Sequence, residues 1–141
     1  MPSMAKIREE MLDCIPDAPA CLVDLGSGWG GVLQLLSRRY PSKRIIGYEV
    51  SWFPYIFSKW MCRNQNIDVY RTNYLKVTFP KDAVFLCYLC PASMRDLAQS
   101  PPKSGWLISH TFALPNHTAI YTHVCADIYR THIYVYNFSK E

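Results

Sequence analysis

Two patterns of hydrophobic residues alternate along the chain, one typical of strands and one typical of helices. Continuous short apolar runs predict buried strands, and apolar residues spaced three and four positions apart predict helices. The strands are predicted at about 20–25, 44–50, 67–70, 83–89, 105–112, 118–125 and 131–138. The helices are predicted at 4–15, at about 29–39, in the segment after Ser51 and at 92–99. Strands separated by helices favour a parallel sheet covered on both faces, while the last two strands lack a helix between them and predict an antiparallel edge hairpin.

The helix after Ser51 is predicted from an apolar stripe. Ser51 is a plausible N-cap, and a proline is tolerated in the first turn that follows it. Phe53, Ile56, Phe57 and Trp60 then recur at helical spacing. A stripe of this kind normally faces the core, so we expect these four side chains to be buried.

Length and composition are those of one globular domain spanning 1–141, with a leading helix and turn at 1–18 and a core at 19–141. Half of the residues are hydrophobic, 18% are charged and the net charge is +4. This mild surplus suits an acidic or phosphate-bearing partner without requiring one. The charged N-terminal residues do not resemble a signal peptide, and the apolar run 83–90 is too short to cross a bilayer. We therefore expect a cytoplasmic protein without a transmembrane segment.

The six cysteines include one Cys-x-x-Cys pair, Cys87 and Cys90. A zinc or redox site normally needs a second pair or histidines at ligand spacing, and the sequence offers neither beside this pair. We expect no metal, and free thiols in a reducing compartment.

Glycines cluster between the first predicted strand and the helix that follows it. Asp24 closes the strand, and Gly26, Gly28, Gly30 and Gly31 come directly after it. Glycines allow a tight turn whose bare backbone can approach a ligand at a helix N-terminus. A second acidic residue closes the next strand, 19 residues beyond Gly30. The arrangement predicts a site for a nucleoside cofactor.

Two cofactor classes fit this turn. Gly26, Gly28 and Gly31 satisfy the dinucleotide pattern Gly-x-Gly-x-x-Gly, so a small NAD(P)-binding module is one interpretation. Against it, Asp24 stands where that pattern normally has an apolar residue, and its carboxylate would repel a diphosphate. The C-terminal hairpin also does not supply the second nucleotide-binding half of a dinucleotide fold.

An acidic residue followed by Gly-x-Gly-x-Gly resembles the first motif of class I S-adenosylmethionine (SAM)-dependent methyltransferases. The resemblance implies a Rossmann-like, mostly parallel twisted sheet and SAM as the cofactor. It places Glu49 on the ribose hydroxyls, which suits a carboxylate because it is an acceptor that can be bidentate. It places Asn73 near the adenine amino group. The cofactor residues that it implies are Asp24, Gly26, Ser27, Gly28, Gly30, Glu49, Val50, Asn73 and Tyr74.

A closer resemblance covers roughly 19–137 and is carried by successive segments of the chain. These are DLGSGxG, IGYEVSWFPYIFSKW, RTNYLKV, AVFLCYLCPASM, WLISHTFALPNH and THIYVYNF. Their order is similar to that in small single-domain protein-lysine methyltransferases, including the mitochondrial enzymes that modify the ATP synthase c subunit and the adenine nucleotide translocase. The resemblance implies a protein substrate with lysine as the acceptor. Residues 87–91 occupy the substrate-facing fourth motif, with Tyr88 as the candidate catalytic residue and Cys90 and Pro91 near the substrate.

The signature Asp/Asn-Pro-Pro-Tyr of enzymes that methylate nucleobase amines is absent from 87–91. We therefore expect no DNA partner and consider a nucleic-acid substrate unlikely. His110 and His117 are expected to be structural, and no residue stands out as a general base. A catalytically silent SAM-binding or scaffold subunit is the main alternative to an active methyltransferase.

Overall fold

The computed structural model describes residues 2–139, so positions 1, 140 and 141 of the predicted domain lie outside it. The helices are α1 (Pro2–Asp13), α2 (Gly31–Arg39), α3 (Trp52–Met61) and α4 (Pro91–Gln99), with a short 3₁₀ turn at Tyr74–Lys76. The strands are β1 (Cys21–Asp24), β2 (Arg44–Tyr48), β3 (Ile67–Tyr70), β4 (Val84–Cys87), β5 (Trp106–His110), β6 (Tyr121–Val124) and β7 (His132–Asn137). Over these described residues, no helix combines the length and the apolar character that crossing a membrane requires.

All strands join one twisted sheet in the order β3-β2-β1-β4-β5-β7-β6. The first five strands run parallel, whereas β7 is antiparallel to both β5 and β6. The predicted α/β fold with its antiparallel C-terminal edge hairpin is thus confirmed. The hairpin folds back on itself, so its second strand and not its first pairs with β5.

Successive residues of the buried strands point to opposite faces of the sheet, which explains their continuous apolar sequence. Leu22 faces a layer that includes residues of α1 and α2, and its neighbour Val23 faces a layer that includes residues of α4. Both leucine and valine are fully buried. Burying each such side chain contributes about 1.5–3 kcal/mol to the free energy of unfolding.

The expectation for the α3 stripe was wrong. Phe53, Ile56, Phe57 and Trp60 are exposed, Phe53 by 81%. The helix instead faces the protein with Tyr55, which is partly buried against the core, and with Ser58, which is completely buried. A Cβ atom at Gly30 would lie 3.1 Å from the Cβ of this serine. Close packing between helix and loop therefore places Ser58, the smallest side chain of α3, at the contact, and the apolar stripe is left outside.

Charged contacts hold α1 against the rest of the molecule. Arg39 of α2 donates to Asp13 at 2.7 Å and to Glu9 at 3.0 Å. At the other side of α1, the Nε2 atom of His123 in β6 lies 3.0 Å from Oε1 of Glu10. These contacts help to position α1. The same helix carries Arg8, which directly precedes Glu9 and is close to the candidate site.

We predict that Gly105→Ala destabilises the protein more than Gly28→Ala does. Both glycines have a positive φ, 86° and 53°, which alone makes an L-residue about 1–2 kcal/mol less favourable. A Cβ at Gly105 would also lie 2.1 Å from the carbonyl oxygen of Ala83, whereas one at Gly28 would meet nothing within 4 Å. The clash should lower the free energy of unfolding by about 1–3 kcal/mol beyond the loss in Gly28→Ala, measured by urea titration. Equal losses would contradict this account.

Candidate functional site

The carboxyl ends of β1 and β4 lie next to each other at the centre of the sheet. The chain leaves β1 toward the β2 side of the sheet and leaves β4 toward the β5 side, so a crevice opens between the two connections. Such a topological switch point is the usual ligand site of open α/β sheets. The glycine loop, residues 25–30, follows β1 into this crevice.

Two glycines of the loop have different tasks. Gly28 (φ 53°) and Gly30 (φ 93°) both adopt left-handed backbone conformations, which glycine tolerates best. The space beside Gly28 is open, while the backbone at Gly30 presses against α3. Ser27, which precedes both glycines, is buried and donates its backbone N–H to the carbonyl of Tyr48 at 3.0 Å. The loop is thus tied to β2 and α3, and leaves free space at Gly28.

Glu49 connects the glycine loop to the end of β2. Its Oε1 accepts the backbone N–H of Gly28 at 2.8 Å, and its Oε2 accepts that of Ser51 at 2.9 Å. Each carboxylate oxygen keeps further acceptor capacity for a ligand. The Gly28 N–H, in contrast, is engaged and is not free to donate to a phosphate. Val50, which follows, is half exposed.

Asp24 is a buried carboxyl group below the loop, and only 5% of the residue is exposed. It accepts the N–H of Gly26 at 3.2 Å. Burial, with a smaller effect from the nearby charge of Glu49, raises its pKa to about 6, although the Gly26 N–H and the charge of Arg8 act in the opposite direction. The site therefore holds two acidic groups, one buried and one partly exposed.

Arg8 of α1 is a site residue that the sequence did not reveal. Its Nη1 atom lies 2.6 Å from the position that a Cβ at Gly31 would take, so the guanidinium lies against the start of α2 and would have to shift for any other residue there. Its positive charge lowers the pKa of both Asp24 and His110. A single arginine in a helix 16 residues before Asp24 carries no local signal for this contact.

Three aromatic rings stack beside the crevice, where β4 and β5 end. The ring of Tyr88 lies 4.1 Å from that of His110 at an interplanar angle of 11°, and 6.3 Å from that of Phe112. His110 is buried, and this burial, with a smaller effect of Arg8, lowers its pKa to about 4. Tyr88 is 55% exposed. A neutral imidazole therefore supports a tyrosine ring that is still partly open to solvent.

The segment after β4 borders the glycine loop, since a Cβ at Gly26 would lie 3.3 Å from Cδ2 of Leu89. Cys90 is exposed at the N-cap of α4, and Pro91 is the first residue of that helix. The Sγ of Cys90 lies 3.4 Å from Oγ of Ser93, and this hydrogen bond is the main cause that lowers the pKa of the thiol. Tyr88, Cys90 and Pro91 thus follow β4 at the same edge of the sheet as the loop.

Asn73 and Tyr74 follow β3, farther along the same edge. Oδ1 of Asn73 accepts the N–H of Leu75 at 3.0 Å and caps the 3₁₀ turn. The Tyr74 ring is buried among apolar residues of the layer beneath α4, with its hydroxyl 3.5 Å from the carbonyl oxygen of Ser93. Little of this ring remains accessible to a ligand.

A cavity of about 1050 Å³ lies elsewhere on the molecule, between the segments that precede β4 and β5. Of the predicted site residues its lining contains only Tyr74. His117 also lines this cavity and packs edge-on against Phe138. The polar groups that converge in the crevice, and not the volume of this cavity, therefore identify the candidate site.

No protein-family model and no curated sequence relative matches the chain. Solved structures do match. An RNA methyltransferase from Salinibacter ruber, crystallised with S-adenosyl-L-homocysteine, has a TM-score of 0.75 at 18% identity over 96% of this chain and 92% of its own. A geranyl diphosphate C-methyltransferase from Streptomyces coelicolor A3(2), crystallised with Mg²⁺, geranyl diphosphate and S-adenosyl-L-homocysteine, has a TM-score of 0.62 at 19% identity over 76% of this chain and 45% of its own.

At these identities the likeness establishes the fold, a Rossmann-like methyltransferase fold, and not the reaction. The [4+2]-cyclase SpnF shares it as well, with a TM-score of 0.58 at 15% identity over 74% of this chain and 43% of its own. The chain thus spans nearly the whole Salinibacter structure but less than half of the other two. Function has to be argued from the site itself.

We predict that Asp24→Asn changes how stability depends on pH. The folded-state pKa of Asp24, about 6, is above its ordinary value of 3.8, so protonation favours the folded state. Its contribution is complete below about pH 4 and is lost as the pH rises to about 6. An asparagine retains the acceptor for Gly26 without a charge.

Between about pH 4 and about pH 7, the free energy of unfolding of Asp24→Asn relative to wild type should therefore rise by about 2–3 kcal/mol. Urea titrations at both pH values measure this difference. Asp68→Asn, at an exposed carboxyl group of β3, serves as the control. A pH-independent difference for Asp24→Asn would show that its carboxyl group is not protonated preferentially in the folded state.

Proposed function

We propose that the protein is a SAM-dependent methyltransferase whose acceptor is a protein side chain such as lysine. The observation that carries the proposal is the glycine loop, which opens to free space at Gly28 between the carboxylates of Asp24 and Glu49. A ligand with cationic groups and no phosphate suits these surroundings electrostatically. SAM, with its ammonium and sulfonium groups, is such a ligand.

The residues present fit this cofactor in named places. Glu49 would accept hydrogen bonds from the ribose hydroxyls with its remaining lone pairs. The bare backbone of Gly26 and Gly28 would border the methionine part, with the negative charge of Asp24 behind it. The half-buried Asn73 would lie on the adenine side.

A dinucleotide fits less well. A phosphate-binding loop donates its backbone N–H groups to the ligand, but Glu49 already accepts the N–H of Gly28 at 2.8 Å. The carboxylates of Asp24 and Glu49 would in addition repel a diphosphate. These two facts support SAM over NAD(P).

SAM supplies a methyl group on a sulfonium, which a nucleophile takes in an in-line displacement. The contribution of the chain is to hold the acceptor in line and to exclude water from the crevice. Tyr88 is the residue that we propose for this task. Its ring is supported by His110 and remains 55% exposed. An aromatic face attracts an alkylammonium group, which supports lysine as the acceptor.

We predict that Glu49→Ala weakens SAM binding by about 1.5–3 kcal/mol, the scale for losing a hydrogen bond to a charged group. Isothermal titration calorimetry with SAM and with S-adenosyl-L-homocysteine measures the change. Asp68→Ala is the matched control, because its carboxyl group is exposed and lies 3.5 Å from Arg44 at a different position on the sheet. Thermal unfolding of each variant identifies any loss that follows from a disordered loop. An unchanged affinity in Glu49→Ala would remove this residue from the site.

The same calorimetry distinguishes the cofactor classes. Wild-type protein should bind SAM and S-adenosyl-L-homocysteine and should not bind NADH. Binding of NADH alone would overturn the proposal in favour of a nicotinamide-binding module.

We expect wild-type protein to transfer labelled methyl groups from SAM into a cell extract. The label should disappear on protease digestion and survive ribonuclease. Gly28→Arg is the inactive control, since an arginine there has an unfavourable positive φ and fills the open space. Ribonuclease-sensitive label would indicate an RNA acceptor, and SAM binding without any transfer would indicate a silent subunit.

A further inference from the structure

The outward face of α3 forms an unusual apolar surface, which we call the α3 patch. Its members are exposed by between 44% and 81%: Trp29, Trp52, Phe53, Ile56, Phe57, Trp60 and Met61. Five of them, all but Trp52 and Met61, line a shallow groove of about 440 Å³. Three of the four tryptophans of the chain lie in the patch. Contiguous apolar surface of this kind on a folded protein normally marks an interaction site.

The patch is not needed for the packing of α3 within the molecule. The helix contacts the glycine loop and the core through the partly buried Tyr55, the buried Ser58 and the adjoining buried Cys62. Trp29 of the glycine loop joins the patch by an edge-on contact with Phe57, with ring centroids 5.5 Å apart. The exposed aromatic rings therefore form a continuous surface built from a helix and a loop.

Cations border this surface. The guanidinium of Arg63 lies 4.8 Å from the ring of Trp60, and that of Arg71 lies 3.8 Å from the ring of Trp52. Lys59 lies in the last turn of α3, and Arg63 follows two residues after the helix ends, so both cations lie at the C-terminal end of the patch.

No acidic residue occurs between positions 50 and 67. The acidic residues that flank this segment have other partners: Glu49 accepts backbone N–H groups, and Asp68 contacts Arg44. The border of the patch is therefore positively charged. A partner that binds there should carry negative charge.

This charge pattern decides between the possible occupants. A second copy packed symmetrically on the patch would bring the same cations together, which opposes association. An apolar, tryptophan-rich helix face bordered by lysine and arginine is instead the pattern of helices that lie in a membrane interface. Phe53, the most exposed member at 81%, stands out from the helix as an inserting side chain would.

We propose that the α3 patch docks on an anionic lipid surface. Phe53 and Trp60 enter the boundary of the acyl chains, while Lys59, Arg63 and Arg71 lie among the headgroups. Because Trp29 belongs both to the patch and to the glycine loop, docking brings the edge of the crevice close to the membrane surface. The proposal rests on the surface of α3 and does not depend on methyl transfer.

Vesicle co-sedimentation tests the docking directly. The purified protein should bind phosphatidylcholine vesicles that contain phosphatidylglycerol far better than vesicles of phosphatidylcholine alone. Added salt should weaken binding, because it screens the attraction between cations and headgroups. The tryptophan emission should shift to the blue on binding, because the rings leave water. Absence of binding to the anionic vesicles would overturn the proposal.

Two sets of variants separate the apolar and the charged contributions. The double variant Phe53→Ser, Trp60→Ser should bind at least about tenfold more weakly, because two large apolar side chains no longer enter the membrane. The double variant Lys59→Gln, Arg63→Gln should lose about fivefold for each cation removed. Ile128→Ser, at an 88% exposed residue between β6 and β7, is the matched control and should bind like wild type.

Thermal unfolding confirms that the variants remain folded, which is expected because the substituted side chains face solvent. Undiminished binding by both double variants would overturn the proposal. So would a concentration-dependent dimer in lipid-free solution that the Phe53→Ser, Trp60→Ser variant abolishes, since it would identify a second copy as the occupant. Binding of an acidic protein at the patch together with no binding to vesicles would overturn it as well.

Discussion

The hydrogen bond from the N–H of Gly28 to the carboxylate of Glu49 is the contact on which the candidate site depends. It joins the turn after β1 to the end of β2 across 21 residues of sequence, at 2.8 Å. The other oxygen of the same carboxylate accepts the N–H of Ser51 at the start of α3, so one side chain sets the position of both loop and helix. A ligand that takes hydrogen bonds from Glu49 therefore acts on the elements that enclose it. The same hydrogen bond limits which ligands the site can bind. A ligand group that requires the Gly28 N–H has to compete for it with the carboxylate of Glu49.

Electrostatic balance is the second constraint. Asp24 lies beneath the loop in a buried position, and the charge of Glu49 adds to the rise of its pKa. The positive charge of Arg8 offsets part of this rise in the pKa of Asp24. The same charge lowers the pKa of His110 and so favours its neutral form. Residues of β1, β5 and α1 and the residue that follows β2 thus belong to one charge arrangement, in which α1 supplies the cation. The imidazole that stacks on the ring of Tyr88 is neutral at pH 7.

Much of the fold and the glycine turn of the candidate site could be predicted from the sequence, because local patterns determine them. Glycine positions specify the turn, and continuous apolar runs specify parallel strands. The parts that escaped prediction depend on contacts between distant segments. The pairing of Cys87 with Ser109 places Tyr88 beside His110, but this register follows only once the strands are aligned. Arg8 reaches the site because α1 packs on the sheet through the buried side chains of Ile7, Met11 and Leu12.

The orientation of α3 shows why an apolar stripe does not by itself define a buried face. Periodicity locates the stripe on the helix, but the shape of the neighbouring surface decides which face is turned inward. At Gly30 the loop comes so close that only a side chain as small as that of Ser58 fits between them. The same contact that positions the glycine loop therefore turns Phe53 and Trp60 toward solvent. Site and patch are thus two consequences of one packing constraint, and a larger side chain at position 58 would displace both.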